Sequence, residues 1–140
     1  MCARTLNEPV VRRRYDRAVV PRPKHELARD HLSHARLDLE QDDDRDALNA
    51  LFYSAEAAIV SLAAVHGIDT RQNHRLKAEA ADELAARGIL EAGVGTLLRE
   101  LNQARKDVWY EGEEPDLGRS LEDVADDVEA LVEVAEQAHG

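Results

Sequence analysis

"ALNALFYSAEAAIVSLA", Ala47–Ala63, decides the fold. Leu48, Leu51, Phe52, Ala55, Ile59 and Leu62 recur at spacings of three and four, so they line one face of a helix. Aspartates just upstream suit a helix start, where negative charge meets the positive end of the dipole. Gly67 stands where a left-handed cap would end it. The predicted helix runs from about Asp44 to His66.

Working outward, the same period repeats four more times. Ala28, Leu32, Ala35 and Leu39 predict a helix from Lys24 to about Glu40, closed by "QDDDRD". Beyond Gly67, the connector "IDTRQN" ends at Asn73, a candidate cap. A shorter helix follows from about His74 to Arg87, with Leu76, Ala80 and Leu84 inward and Gly88 as its stop. A fourth, with Leu90, Val94, Leu97, Leu101, Ala104 and Val108 inward, is predicted from about Leu90 to Trp109. Gly93 and Gly95 weaken its first turns and allow close helix approach. After the loop "EGEEPDLG", Ser120 with Asp123 three positions on opens a fifth helix. Its seam is Leu121, Val124, Val128, Leu131, Val132 and Ala135. The expected class is all-α, an antiparallel four- to five-helix bundle over residues 24–140.

Composition agrees. Of 140 residues, 44% are hydrophobic but only 4% aromatic, so the core must be built from Leu, Ala and Val. Seven Gly and four Pro are too few for a fold rich in tight turns. The formal charge of −11 is unevenly placed. Residues 1–30 carry eight basic and four acidic side chains, which leaves the rest at −15. An acidic body disfavours broad, sequence-independent nucleic-acid binding, which needs a basic footprint. It leaves room for a small basic cleft.

Residues 1–23 read as a basic arm, "VVRRRYDRAVVPRP" closing on Pro21 and Pro23, able to reach a partner. Cys2 is the lone cysteine, so no disulfide forms within one chain. No secretory signal or membrane span is expected, and the expected location is cytoplasmic.

Candidate site residues fall on two helices. Asn49, Tyr53 and Glu56 form a polar stripe flanking the apolar face of the second helix. Asn102, Arg105 and Trp109 share one side at the end of the fourth, with Lys106 and Tyr110 beside them. An arginine there is able to bind phosphate bidentately, or to pair with Glu56 across the bundle. Trp109 is expected to close the core. The plain alternative for both stripes is solvated helix flank. His31 and His34 share a face, a spacing compatible with two metal ligands, but nothing supplies the further convergent ligands a metal site needs. These two, like His66 and His74 around the connector, are expected to be surface or cap residues. No metal and no cofactor is expected.

In this order these residues resemble the HEPN superfamily, small helical domains of bacterial toxin–antitoxin and defence systems, over about residues 24–139. "ALNALFYSAEAAIVSLA" looks like the family's second helix, with an aromatic pair in an alanine-rich run. The family carries an arginine at the end of its fourth helix and a histidine after a gap of four to six. Here "LNQARKDVWYEG", Leu101–Gly112, has Arg105 in the arginine place. Tyr110, Glu111 and Gly112 fill the histidine's allowed places, and Lys106 replaces a small polar residue. The resemblance implies a homodimer with the fourth-helix ends facing across a shared cleft. It also implies, for active members, metal-independent RNA cleavage, in which arginine stabilises phosphate charge and histidine assists the 2′-hydroxyl. Tyrosine, with an unperturbed pKa near ~10 against ~6.5 for histidine, is a poor base at neutral pH.

Three readings follow. The first is a non-catalytic or weakly catalytic module that binds a nucleotide, an RNA end or a partner at the Arg105 cleft. The second is a ribonuclease toxin using Arg105 and Tyr110. The third is a structural interaction protein docking a basic partner on Asp123, Asp126, Asp127, Glu129, Glu133 and Glu136 of the last helix.

Overall fold

The structure, a computed structural model, describes residues 22–140. The basic arm proposed for residues 1–23 therefore lies almost wholly outside the described residues. Five helices follow in order: α1 Lys24–Glu40, α2 Asp44–Val65, α3 His74–Ala86, α4 Val94–Glu111 and α5 Leu121–His139. Among the described residues there is no strand.

The predicted ends have identifiable chemistry. Asp43 accepts from Asp46 N–H at 3.2 Å, Asn73 from Leu76 N–H at 3.1 Å and Ser120 from Asp123 N–H at 3.1 Å. Each satisfies one of the donors that a helix start leaves over. Gly67 beyond α2 and Gly88 beyond α3 take the left-handed conformation, with φ of 74° and 78°.

One boundary differs from the sequence reading. The fourth helix starts at Val94 instead of Leu90, because its N-cap, Gly93, is left-handed at φ 98° and breaks the backbone there. Its buried line is accordingly Gly95, Leu98, Leu101, Ala104 and Val108, while Val94 and Leu97 are only half-buried. Gly95 is required by packing. A Cβ there would stand 2.0 Å from Asp82 Oδ1 and 3.0 Å from the Ala78 carbonyl oxygen on α3. The close approach expected of the glycine pair thus belongs to Gly95.

α2 is the central element and packs against each of the other four helices. α1 and α5 cover one side, α3 and α4 the other, and the α4 and α5 backbones do not approach closely. α1 runs antiparallel to α5, since Arg29 meets Glu136 while Arg36 meets Glu129 and Asp126. α4 runs antiparallel to α2 on similar grounds: Arg45 reaches Val108, and Phe52 meets Arg105. Leu48, Leu51, Phe52, Ile59 and Leu62 have no exposed surface. Alanines fill the remaining contacts between helices, among them Ala47, Ala58, Ala81 and Ala125. Short side chains let the axes approach and compensate for the scarcity of aromatics. α2 is long and apolar enough to cross a membrane by length and composition, but 61% of its apolar window is buried in the bundle. Its apolar character is that of a helix with neighbours on both sides.

Candidate functional site

On the α3/α4 side of α2, an open groove of about 470 Å³ runs along the helix junctions. Glu56 and Phe52 enter from α2, His74 and Arg75 from the start of α3, and Asn102 and Lys106 from α4. The i, i+3 and i+4 spacing carries this arrangement. Phe52 and Glu56 share one side of α2, and Asn102, Arg105 and Lys106 share one side of α4.

Arg105 is not itself a lining residue of the groove but packs beside two that are, Phe52 and Asn102. Its guanidinium carbon lies 4.6 Å from the centroid of the Phe52 ring and 6.0 Å from that of Tyr53. A cation over aromatic faces is attracted by their quadrupoles without losing its charge. Nη2 donates to Asn102 Oδ1 at 2.9 Å, which fixes the plane of the fork. Among the described residues no carboxylate lies within ion-pair distance of it. The expected pairing with Glu56 does not form. Glu56 is 5% exposed and spends both oxygens on α3, accepting from Lys77 Nζ at 3.3 Å and from His74 Nδ1 at 2.5 Å. The start of α3 presents His74 and Lys77 three residues apart, on one side and directly over the carboxylate.

The predicted site residues therefore separate into two groups. Glu56, Asn102 and Lys106 line the groove with Phe52, while Arg105 and Tyr53 lie beside it, Arg105 against the rings of Phe52 and Tyr53. Asn49 is half-buried one turn earlier on α2 and does not line it. Trp109 does not close the core, as expected from its size. It is 46% exposed and lies under Arg45, whose guanidinium is 5.1 Å from the ring while Nη2 reaches the Val108 carbonyl at 3.4 Å. Val108 takes the inward position, so its neighbour points out. Tyr110 is 72% exposed.

His74 is the functional candidate that sequence reasoning passed over as a connector histidine. Its ring is tilted against Phe52 with centroids 5.4 Å apart, so imidazole and guanidinium share one aromatic neighbour. The available signal was its place just after the Asn73 cap, with Lys77 on the same face. His31 and His34 behave differently. Burial, and then the charge of His34, hold His31 below the ordinary histidine range. Among the described residues no group of three or more His, Cys, Asp or Glu is placed to hold a metal ion.

The acidic side of α5 is largely occupied. Glu129 and Glu136 take Arg29, Asp126 and Glu129 take Arg36, and Asp127 takes Arg119. Of the six acids proposed as a docking face, Asp123 and Glu133 have no ion-pair partner among the described residues.

No curated protein and no solved structure matches the chain. The family model described as HEPN domain matches residues 25–139, all five helices. The chain belongs to the HEPN family of helical domains, nucleotide- and RNA-related modules of toxin and defence systems.

Proposed function

We propose that this chain is a HEPN module that binds the phosphate of a nucleotide or an RNA end at Arg105, without catalysis, or with weak catalysis, by the Arg105/Tyr110 motif. One observation carries the reading. Arg105 has no carboxylate partner among the described residues, and is stacked on Phe52 and oriented by Asn102, beside a groove lined by Lys106, Arg75 and His74. A planar, fixed guanidinium with free donors suits a phosphate's oxygens. The groove is a local positive site on an acidic molecule, which favours a short anionic ligand over a long duplex. The working form is a homodimer with the α4 ends facing each other, the arrangement for which exposed Tyr110 and Trp109 are available. The expected setting is a cytoplasmic bacterial toxin–antitoxin or defence system.

The test is binding of a short 5′-phosphorylated RNA, followed by fluorescence anisotropy at two salt concentrations. Arg105→Ala should weaken binding at least about tenfold, the loss of one charged contact. Equal affinities for the wild-type and the variant protein would remove the reading.

A second reading, an active ribonuclease using Tyr110, draws support from the exposure of that hydroxyl five residues beyond Arg105. It requires RNA cleavage in the presence of chelator that disappears in Tyr110→Phe. Cleavage unchanged in that variant excludes it.

A further inference from the structure

The helix-end motif lacks an imidazole, but the groove beside it contains one on another helix. His74 Nδ1 lies 2.5 Å from Glu56 Oε2, and the carboxylate can only accept, so Nδ1 carries the hydrogen. In the neutral ring that assignment leaves the lone pair on Nε2. The imidazole side chain is 50% exposed and lines the groove, whereas its carboxylate partner is 7% exposed. Lys77 Nζ, on the other Glu56 oxygen, holds the carboxylate from behind. A buried acid thus orients a half-exposed imidazole whose free nitrogen is available to the groove. This is a base–orienter arrangement of the kind that proton-transfer sites need. The cation that would hold a phosphate, Arg105, packs on the same Phe52 ring.

We propose that His74 is the proton-transfer residue of this groove, positioned by Glu56, and that its substrate is a single-stranded RNA phosphodiester. The proposal rests on the phosphate-binding reading of Arg105. In the reaction His74 Nε2 takes the proton of a ribose 2′-hydroxyl as the 2′-oxygen bonds to phosphorus. The bond from phosphorus to the 5′-oxygen breaks, and that oxygen takes a proton from water. The resulting imidazolium returns its proton to solvent. The products are a 2′,3′-cyclic phosphate and a 5′-hydroxyl, with no oxidant or reductant consumed. Arg105 and Lys106 face the charge that develops on the phosphate oxygens. Glu56 is a positioning residue that acts only through His74.

The experiment incubates the full chain with a fluorescent single-stranded RNA in chelator, alongside anisotropy measurements of RNA affinity and far-UV circular dichroism. Two variants are compared, His74→Ala and His74→Asn. The asparagine keeps a donor for Glu56, and with it the packing, while lacking the proton site. Both should lower the cleavage rate by about 100-fold or more, the usual contribution of a general base, with RNA affinity changed less than about threefold. Added imidazole should restore part of the rate in His74→Ala. Glu56→Gln should slow cleavage and shift the pH–rate profile, which a merely structural role would not do. The corresponding DNA, with no 2′-hydroxyl, should remain intact. Cleavage at the wild-type rate in His74→Asn would overturn the proposal and leave phosphate binding standing, as would wild-type protein that binds RNA but leaves it whole. Failure of the wild-type chain to bind RNA would instead overturn the underlying reading.

Discussion

The two sides of α2 use arginine in opposite ways. On the α1/α5 side, Arg29 and Arg36 are consumed by Glu129, Glu136 and Asp126, and their charge is spent within the fold. On the α3/α4 side, Arg105 rests on aromatic rings and an amide and keeps its charge for something else. The acid nearest in type, Glu56, is withdrawn from it by His74 and Lys77. An acidic protein can therefore hold a local cationic site, provided its carboxylates are matched elsewhere first. Net charge predicts how the molecule behaves at a distance, while pairing decides what a given groove attracts.

The most damaging way to break this contrast is at the ring that Arg105 and His74 share. Phe52 has no exposed surface and makes the platform for Arg105 and His74. Phe52→Ala should cost roughly 3–5 kcal/mol, a large share of a typical domain's stability, and should abolish RNA binding with it. Urea denaturation gives the stability directly. A loss below about 1 kcal/mol would mean the platform is not integral to the core.

A sharper test exchanges the two kinds of arginine. Arg105→Ala should reduce RNA affinity at least about tenfold while changing stability little, because no ion pair is lost. Arg29→Ala should do the reverse. It strands Glu136 and leaves Glu129 with Arg36 alone, and after solvent screening should cost on the order of 1 kcal/mol without touching affinity. Parallel melting and anisotropy experiments on both variants check this. Coupled losses in either protein would show that the sides are not independent.

The close approach of α3 and α4 is what shapes the groove, and Gly95 permits it. Gly95→Ala puts a methyl group against Asp82 Oδ1 and the Ala78 carbonyl. The carboxylate is able to swing away, at the expense of its ion pair with Arg99, but the backbone oxygen is not. Destabilisation of roughly 1–3 kcal/mol is expected, as for an overpacked interior. An unchanged melting temperature would show that the helices separate freely.

Local patterns in the sequence were enough to read most of this architecture. The seams of α1, α2 and α5 follow from spacing alone, since the residues that repeat at three and four are the ones found buried. Asn73 and Ser120 announced their helices because a cap is chemistry within four residues. Errors arose where the outcome depends on partners distant in sequence. Whether Glu56 meets Arg105 or Lys77 is settled by how α3 is placed, and no short-range spacing encodes that. Trp109 looked like a core residue by size, but Val108 beside it already occupied the inward position. Arg105 was identified from its place in a motif, whereas His74 lies in no motif and shows its role only beside Glu56.

The smallest expected effect concerns the acid limb of stability and tests the paired side alone. The hydrogen bond from Arg29 holds the Glu136 carboxyl below its usual value of 4.5, with burial opposing and the Arg29 charge assisting. In the unfolded chain that carboxyl regains its ordinary value. The pair is therefore fully stabilising above the unfolded pKa and loses its contribution as pH falls through the lower folded value. Glu136→Gln removes this titration while leaving an acceptor for Arg29. Melting temperatures measured from about pH 6 down to about pH 3 should converge for the two proteins at the acid end and separate, with wild type higher, as pH rises. The Arg105 groove should register none of this, since Glu136 lies on the other side of α2. RNA affinity should be the same in both proteins at neutral pH, and a difference there would mean that the charges of the two sides communicate through the helix that separates them.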